Sequence, residues 1–260
     1  MVVSDVGLAA AQTRYALRGY LREPSALVFT IVMPVFLLLL FNAIFHGRTR
    51  FGGLAVTSSA YYTASIIAYT VMLTGFSSLV IRVTTDREWG QLKRYRGTPM
   101  PSWVYLSAEI GRSVVVVVVT AAVLLGVGAV FYKVRVSADM LVGVAAYVVV
   151  GTACFCAMAL AMTRICRTTD AASAIGPFST VVLAFLSGVF IPVAVMPAWL
   201  LDIGKVFPLE HLARGLQTAF LVPGSTGITW SSMGVLLAWG AAGLVLAVRT
   251  FQWEPLTVGS

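Results

Sequence analysis

The sequence predicts an all-α integral membrane protein of six transmembrane helices. Around them it places an amphipathic N-terminal interfacial helix, a short cytosolic helix and an outer re-entrant helical hairpin. Three observations carry this. Of 260 residues, 59% are hydrophobic and only 11% are charged, where soluble domains carry about 25% charged residues. The mean hydropathy is +0.91. Six apolar stretches, 26–45, 54–81, 113–132, 140–163, 171–191 and 228–248, are each long enough to cross about 30 Å of hydrocarbon. Residues 1–24 form the interfacial helix and 25–260 the six-span domain, with no room for a separate soluble unit. The net charge of +8 sits at span ends, which suits anionic lipid headgroups rather than nucleic acid.

Before the first span, Arg14, Arg18 and Arg22 recur every four residues and line one helix face. Such like charges repel in isolation. Lipid phosphates neutralise them, so this helix is expected to lie in the inner headgroup plane. Pro24 marks the turn into the bilayer, and Pro34 is expected to kink the first span. A short polar loop, 46–53, follows. In the second span Ser65, Tyr69, Met72 and Phe76 form one stripe at 4-3-4 spacing. It reads as a helix–helix seam or as the wall of an amphipathic passage.

The one long polar passage is 85–101, TDREWGQLKRYRGTPMP. Thr85 and Glu88 form a capping box, Asp86 and Glu88 occupy the first turn, and Lys93, Arg94 and Arg96 the last. Gly97, Pro99 and Pro101 stop the helix. The predicted helix spans 85–97, with Trp89, Leu92 and Tyr95 as its apolar contacts. Arg82, Arg87, Lys93, Arg94 and Arg96 place this loop in the cytoplasm. Over the whole chain Lys and Arg divide about two to one in favour of that side, so both termini are expected there, in a cytoplasmic membrane. A topology anchor needs only basic residues. A capped helix of mixed charge with exposed aromatics suits docking to a soluble partner.

In the third span Glu109 and Arg112, three apart, can pair on one face. They read either as a functional intramembrane pair or as a snorkelling salt bridge that fixes the helix. The run Val114–Val119 is β-branched but must be helical in lipid, where backbone groups have no other partners. Cys154, Cys156 and Cys166 show neither a disulfide framework nor metal spacing. A tight cytosolic turn, 164–170, leads to the fifth run. That run stays uncharged from Ala171 to Leu201 and is too long for one crossing, so the span ends near Ile191. Pro197 and Pro208 suit the first positions of two short helices within 192–223. This segment reads as a hairpin dipping into the outer leaflet or as a simple amphipathic loop.

Several chemistries lack their residues. No phosphate-binding G-x-x-x-x-G-K-[ST] loop and no H-E-x-x-H occur, and Phe185 stands where a G-x-S-G motif around Ser187 wants glycine. No acidic residue lies in the middle of a span, as a proton-coupled carrier would need. His46 and His211 are the only histidines, and His211 reads as a wet-interface residue. No catalytic residue, metal site or cofactor site is therefore assigned to this chain, and an energy source must come from a partner.

These features resemble the membrane subunit of type-2 ABC exporters, the daunorubicin-resistance-like permeases. The resemblance rests on DREWGQLKRYRGTPMP at 86–101, on SGVFIP at 187–192 with Met196 and Pro197, on PLEH at 208–211, and on the amphipathic helix at 5–22. It implies a half-transporter. Two such subunits, identical or homologous, would enclose a path lined by spans two and five, above two ATPase subunits that bind ATP and Mg. Asp86, Arg87, Glu88, Trp89, Gln91, Leu92 and Arg94 would then form the coupling helix contacts. Tyr69, Met72, Phe76, Phe178, Val182 and Phe185 are the expected passage wall, suited to a hydrophobic or amphipathic drug-like or lipid-like substrate. The rival reading is an ATPase-independent secondary transporter or channel.

Overall fold

The computed structural model describes residues 5–45, 47–51, 54–92 and 102–250. The predicted class holds. Among the described residues six helices are long and apolar enough to cross a membrane, and the chain is a multi-pass membrane protein. Helix α1 (Asp5–Leu21) precedes the first span, α2 (Pro24–Ile44), in which Pro24 occupies the first turn. A small antiparallel hairpin follows, β1 (Arg48–Phe51) with β2 (Leu54–Thr57), Arg48 opposite Thr57 and Phe51 opposite Leu54. The second span, α3 (Ser58–Glu88), leads to α4 (Ser102–Tyr132), α5 (Ala138–Met162) and α6 (Thr169–Leu186). A 3-10 turn at Val193–Val195, two short helices, α7 (Ala198–Gly204) and α8 (Pro208–Leu221), and the last span, α9 (Trp230–Thr250), complete it. The valine run lies within α4, as lipid requires. The end of the bundle with α1, the α3 terminus and the α5–α6 turn is here called the terminal face. The opposite end is the hairpin face.

Helix α3 is the axis of the fold. It is buried on nearly every side, whereas α2, α6 and α9 turn most of their surface outward. Its middle is not α-helical: Leu73–Ser78 is a π-helical stretch between the α-helices Ser58–Met72 and Leu79–Glu88. The wider turn gives Ser78 Oγ the Leu73 carbonyl as acceptor at 3.2 Å. Small residues let neighbours close in here. A Cβ on Gly75 would lie 3.3 Å from Phe155 of α5, and one on Gly176 of α6 would lie 3.0 Å from Ser77 Oγ.

At the hairpin face α8 is clamped between α3 and α5. Leu209, Leu212 and Leu216 bury one side of it. Gln217, also buried, donates to Ser65 Oγ at 2.9 Å and to the Gly188 carbonyl at 3.3 Å. Tyr61 donates to the same carbonyl, and Gly188 itself turns with φ +69°. Tyr147 of α5 donates to the Gly227 carbonyl at 2.9 Å.

Several sequence expectations need correction. The polar loop 46–53 is largely the hairpin strand pair, whose second strand also claims the first residues assigned to span two. The apolar run counted from Ser113 is the later part of a helix that starts at Ser102, directly after Pro101, with Glu109 and Arg112 inside it. The fifth span ends at Leu186, where the chain turns through Gly188. Pro208 does open a helix, but Pro197 is the N-cap of α7 and not its first residue. Most consequential, Thr85 starts no helix. It lies inside α3 and donates to the Ile81 carbonyl at 2.8 Å, one turn back. The span helix runs on through the predicted capping box to Glu88 and stops at Gly90, φ +72°. Gln91 and Leu92 are again helical; Lys93, Arg94, Arg96, Gly97, Pro99 and Pro101 lie outside the described residues, as does His46.

The α5–α8 contact can be tested directly. A Cβ on Gly215 would fall 2.1 Å from Cζ of the Tyr147 ring, whereas one on Gly126 meets nothing within 4 Å. Gly215→Ala is expected to destabilise the protein by about 1–3 kcal/mol, the usual cost of overpacking. Gly126→Ala should leave it unchanged or slightly more stable. Thermal unfolding of the detergent-purified variants would check both.

Candidate functional site

A cluster of buried and half-buried charged residues gathers at the terminal face, around the last two turns of α3. Two sets of contacts fasten this end. The first faces the α5–α6 turn. Arg87 is buried and donates through Nη1 to the Thr163 carbonyl at 2.8 Å and through Nη2 to the Cys166 carbonyl. Those carbonyls end a helix and a tight turn, so they lack partners in regular structure, and a guanidinium fork satisfies both. Beside it, Glu88 accepts the Thr169 backbone N–H at 2.6 Å, and Thr169 Oγ1 bonds Thr85 Oγ1 at 3.2 Å. Glu88 thereby places a negative charge at the N-terminus of α6, where the helix dipole favours it. Thr168 completes the cap by accepting from the Ala171 N–H at 3.2 Å.

The second set faces α4 and α1. Glu109 Oε2 accepts from Arg112 Nε at 3.0 Å and lies 3.4 Å from Arg82 Nε. Glu109 and Arg112 are 3% and 2% exposed, so the pair is buried within the protein. The Arg112 guanidinium stacks over Tyr20 of α1 at 5.4 Å from the ring centroid. One turn away, Tyr105 donates to Asp86 Oδ2 at 3.2 Å. A cavity of about 550 Å³ opens beside this network, lined by residues of α1, α2, α3 and α4.

The predicted coupling residues therefore divide. Glu88, Trp89 and Gln91 are exposed, with Trp89 73% accessible. Asp86 is half-buried against Tyr105, and Arg87 and Leu92 are buried. Arg94 lies outside the described residues. The predicted passage wall divides too. Tyr69, Met72 and Phe76 are buried inside the chain, while Phe178, Val182 and Phe185 look outward from α6. Phe190 links the two sets, lying 5.2 Å, ring to ring, from both Tyr69 and Phe185. Sequence reasoning gave no site role to Phe190, Arg82, Tyr105 or Gln217. Gln217 had a usable signal, a polar residue adjoining the apolar stripe Leu209–Leu212–Leu216. Arg82 and Tyr105 had none, because their partners are distant in sequence.

The three cysteines are free and buried. Cys166 sits in the α5–α6 turn, outside the spans, and burial pushes its thiol above its ordinary value, with Arg87 opposing. Among the described residues no group of three or more His, Cys, Asp or Glu is placed to hold a metal ion.

Comparison with known proteins places this architecture. The family profile described as "ABC-2 type transporter" matches residues 9–221. YvfS of Bacillus subtilis (strain 168), named as a transport permease, is 29% identical over 181 residues, covering 69% of this chain and 72% of YvfS. YbhR of Escherichia coli (strain K12), named as a multidrug ABC transporter permease, is 25% identical over 181 residues. That match covers 68% of this chain but only 48% of YbhR, so it spans about half the length of that relative.

Two outcomes follow from the geometry. Glu109→Leu leaves two arginines without their carboxylate and should cost about 3–5 kcal/mol, the usual penalty for breaking a buried pair. Adding Arg112→Leu should restore much of that loss, read from melting temperatures of single and double variants. Separately, Cys166 should resist maleimide in native membranes at neutral pH, because the thiolate is scarce and covered. Arg87→Ala, which frees the α5–α6 turn, should raise its labelling rate.

Proposed function

The chain belongs to the ABC-2 type transporter family, and from that premise we propose that it is the permease subunit of an ATP-driven exporter. Membership makes it a membrane permease of an ABC transporter, working with an ABC ATPase. The finer reading is a pair of permease subunits, identical or homologous, above two ATPase subunits that hold ATP and Mg. The terminal face is the cytosolic one, with both termini in the cytoplasm, on the strength of the Lys and Arg distribution. Helix α1 (Asp5–Leu21) is the interfacial helix, and 192–223 the outer segment that dips into the far leaflet.

The observation that carries the reading is the form of the α3 terminus. Glu88, Trp89 and Gln91 stand exposed together, backed by Arg87 and Leu92 buried behind them. An exposed aromatic and charged tip on rigid anchors suits a protein groove. Glu88 also touches the first residue of α6. Force applied by an ATPase to this tip would thus reach α3 and α6 together, the two spans proposed to line the path. Phe178, Val182 and Phe185 form the exposed part of that wall, with Tyr69 behind them through Phe190, and Met72 and Phe76 deeper in α3. An aromatic and methionine lining favours a hydrophobic or amphipathic substrate, drug-like or lipid-like.

The test is affinity purification from native membranes. The wild-type chain should bring an ABC ATPase with it. Glu88→Arg and Trp89→Ala should lose that ATPase, or its substrate-stimulated turnover, while still inserting and folding. Intact complexes with unchanged turnover in both variants would remove the docking role.

A further inference from the structure

The cavity beside the Arg82–Glu109–Arg112 network is not explained by docking or by a passage between α3 and α6. It lies at the terminal face between α1, α2 and the α3–α4 pair. Its lining has an unusual balance. Arg82 and Arg112 supply two cations, while Glu23 and Asp86 line it and Glu109 lies behind, giving three carboxylates. Arg112 is 2% exposed, and its Nη2 has no acceptor among the described residues. Buried guanidinium N–H groups are seldom left so, since each costs the full desolvation of the donor. On the mouth side the Glu23 carboxylate is exposed, and Phe29 and Trp89, both 73% exposed, stand as aromatic walls.

A simple anion would supply the acceptor that Arg112 lacks but would meet Glu23 and Asp86. A simple cation would suit the carboxylates and leave Arg112 as it is. A head carrying both charges suits both. We propose that this cavity binds the headgroup of an ethanolamine phospholipid from the leaflet at the terminal face. Its phosphate oxygens accept from Arg112 and Arg82, and its ammonium donates to Glu23 and Asp86. A primary ammonium offers three N–H donors, which a quaternary choline cannot. The acyl chains have a track. Phe29, Val32, Met33, Phe36 and Leu40 are exposed on one face of α2, a rise of about 16 Å from the cavity into the bilayer. The cavity borders the docking tip through Trp89 and Gln91, but lipid binding is read on the chain without an ATPase, so its failure would leave the permease reading untouched.

The experiment uses the full chain in phosphatidylcholine bilayers doped with phosphatidylethanolamine, phosphatidylglycerol or phosphatidylcholine carrying brominated chains. Bromine quenches nearby tryptophan, and the difference between wild type and Trp89→Phe isolates the Trp89 signal. Half-quenching should occur at about tenfold lower mole fraction for the ethanolamine lipid, the worth of one charge-assisted hydrogen bond. Glu23→Lys, at an exposed position, should abolish that preference and favour phosphatidylglycerol. Equal quenching by all three lipids, or an unaltered preference in Glu23→Lys, would overturn the proposal. Displacement of the brominated lipid by soluble phosphoethanolamine at equal concentration would also overturn it, assigning the site to a soluble aminophosphate.

Discussion

Glu109 is the constraint on which the terminal face depends. A carboxylate removed from water must be neutralised by close, well-placed cations, or its desolvation outweighs what it gains. Here Arg112 on its own helix and Arg82 on α3 converge on one oxygen. Because both arginines belong to different helices, α3 and α4 cannot slide past one another without uncovering a charge. Arg112 extends the constraint to α1 by lying over the Tyr20 ring. Three elements that share no backbone hydrogen bonds are thereby held in one register. Such a network gives specificity of arrangement more than net stability.

The other side of α3 is held by a different device. Arg87 and Glu88 are adjacent in sequence and act on the two sides of one turn, the guanidinium on carbonyls that end α5 and the carboxylate on the N–H that begins α6. Opposite charges thus meet opposite helix ends. The exposed tip at Trp89 is in consequence an extension of three spans and not a free loop. Any partner that binds there meets a surface whose geometry is already fixed.

Composition alone made the membrane class and the number of spans legible, because the hydrocarbon core admits so few structures. The glycine, proline and charge punctuation located the short outer helices to within a residue or so. What misled was local chemistry at Thr85. A Thr and a Glu three apart satisfy the helix-start pattern, yet the same threonine can bond one turn back and sit inside a helix. Burial of α3 decided between the two, and burial is a property of the packed bundle. The coupling set was read as one short docking helix that begins at Thr85. The structure splits it because residues 86 to 89 continue a helix packed on two sides. The strand pair at 48–57 and the contacts of Arg82, Tyr105 and Gln217 join residues through tertiary packing, which no periodicity reports. The aromatic stripe of α3 was legible as a seam, and there it is buried; its relation to α6 runs through Phe190, which the stripe does not contain.

The π-helical stretch in α3 is, in arithmetic terms, a residue too many. One residue added to an α-helix turns everything beyond it by about 100°. Leu73–Ser78 thus lets the two halves of α3 keep separate phases, so that Tyr61 and Ser65 meet the hairpin-face network while Arg87 and Glu88 meet the α5–α6 turn. Loss of a single residue within 73–78 would return the helix to uniform pitch. It would leave the upper half seated and swing the lower half off its turn. The length of this segment keeps the two faces of the molecule in step, while its small residues keep it seated against α5 and α6.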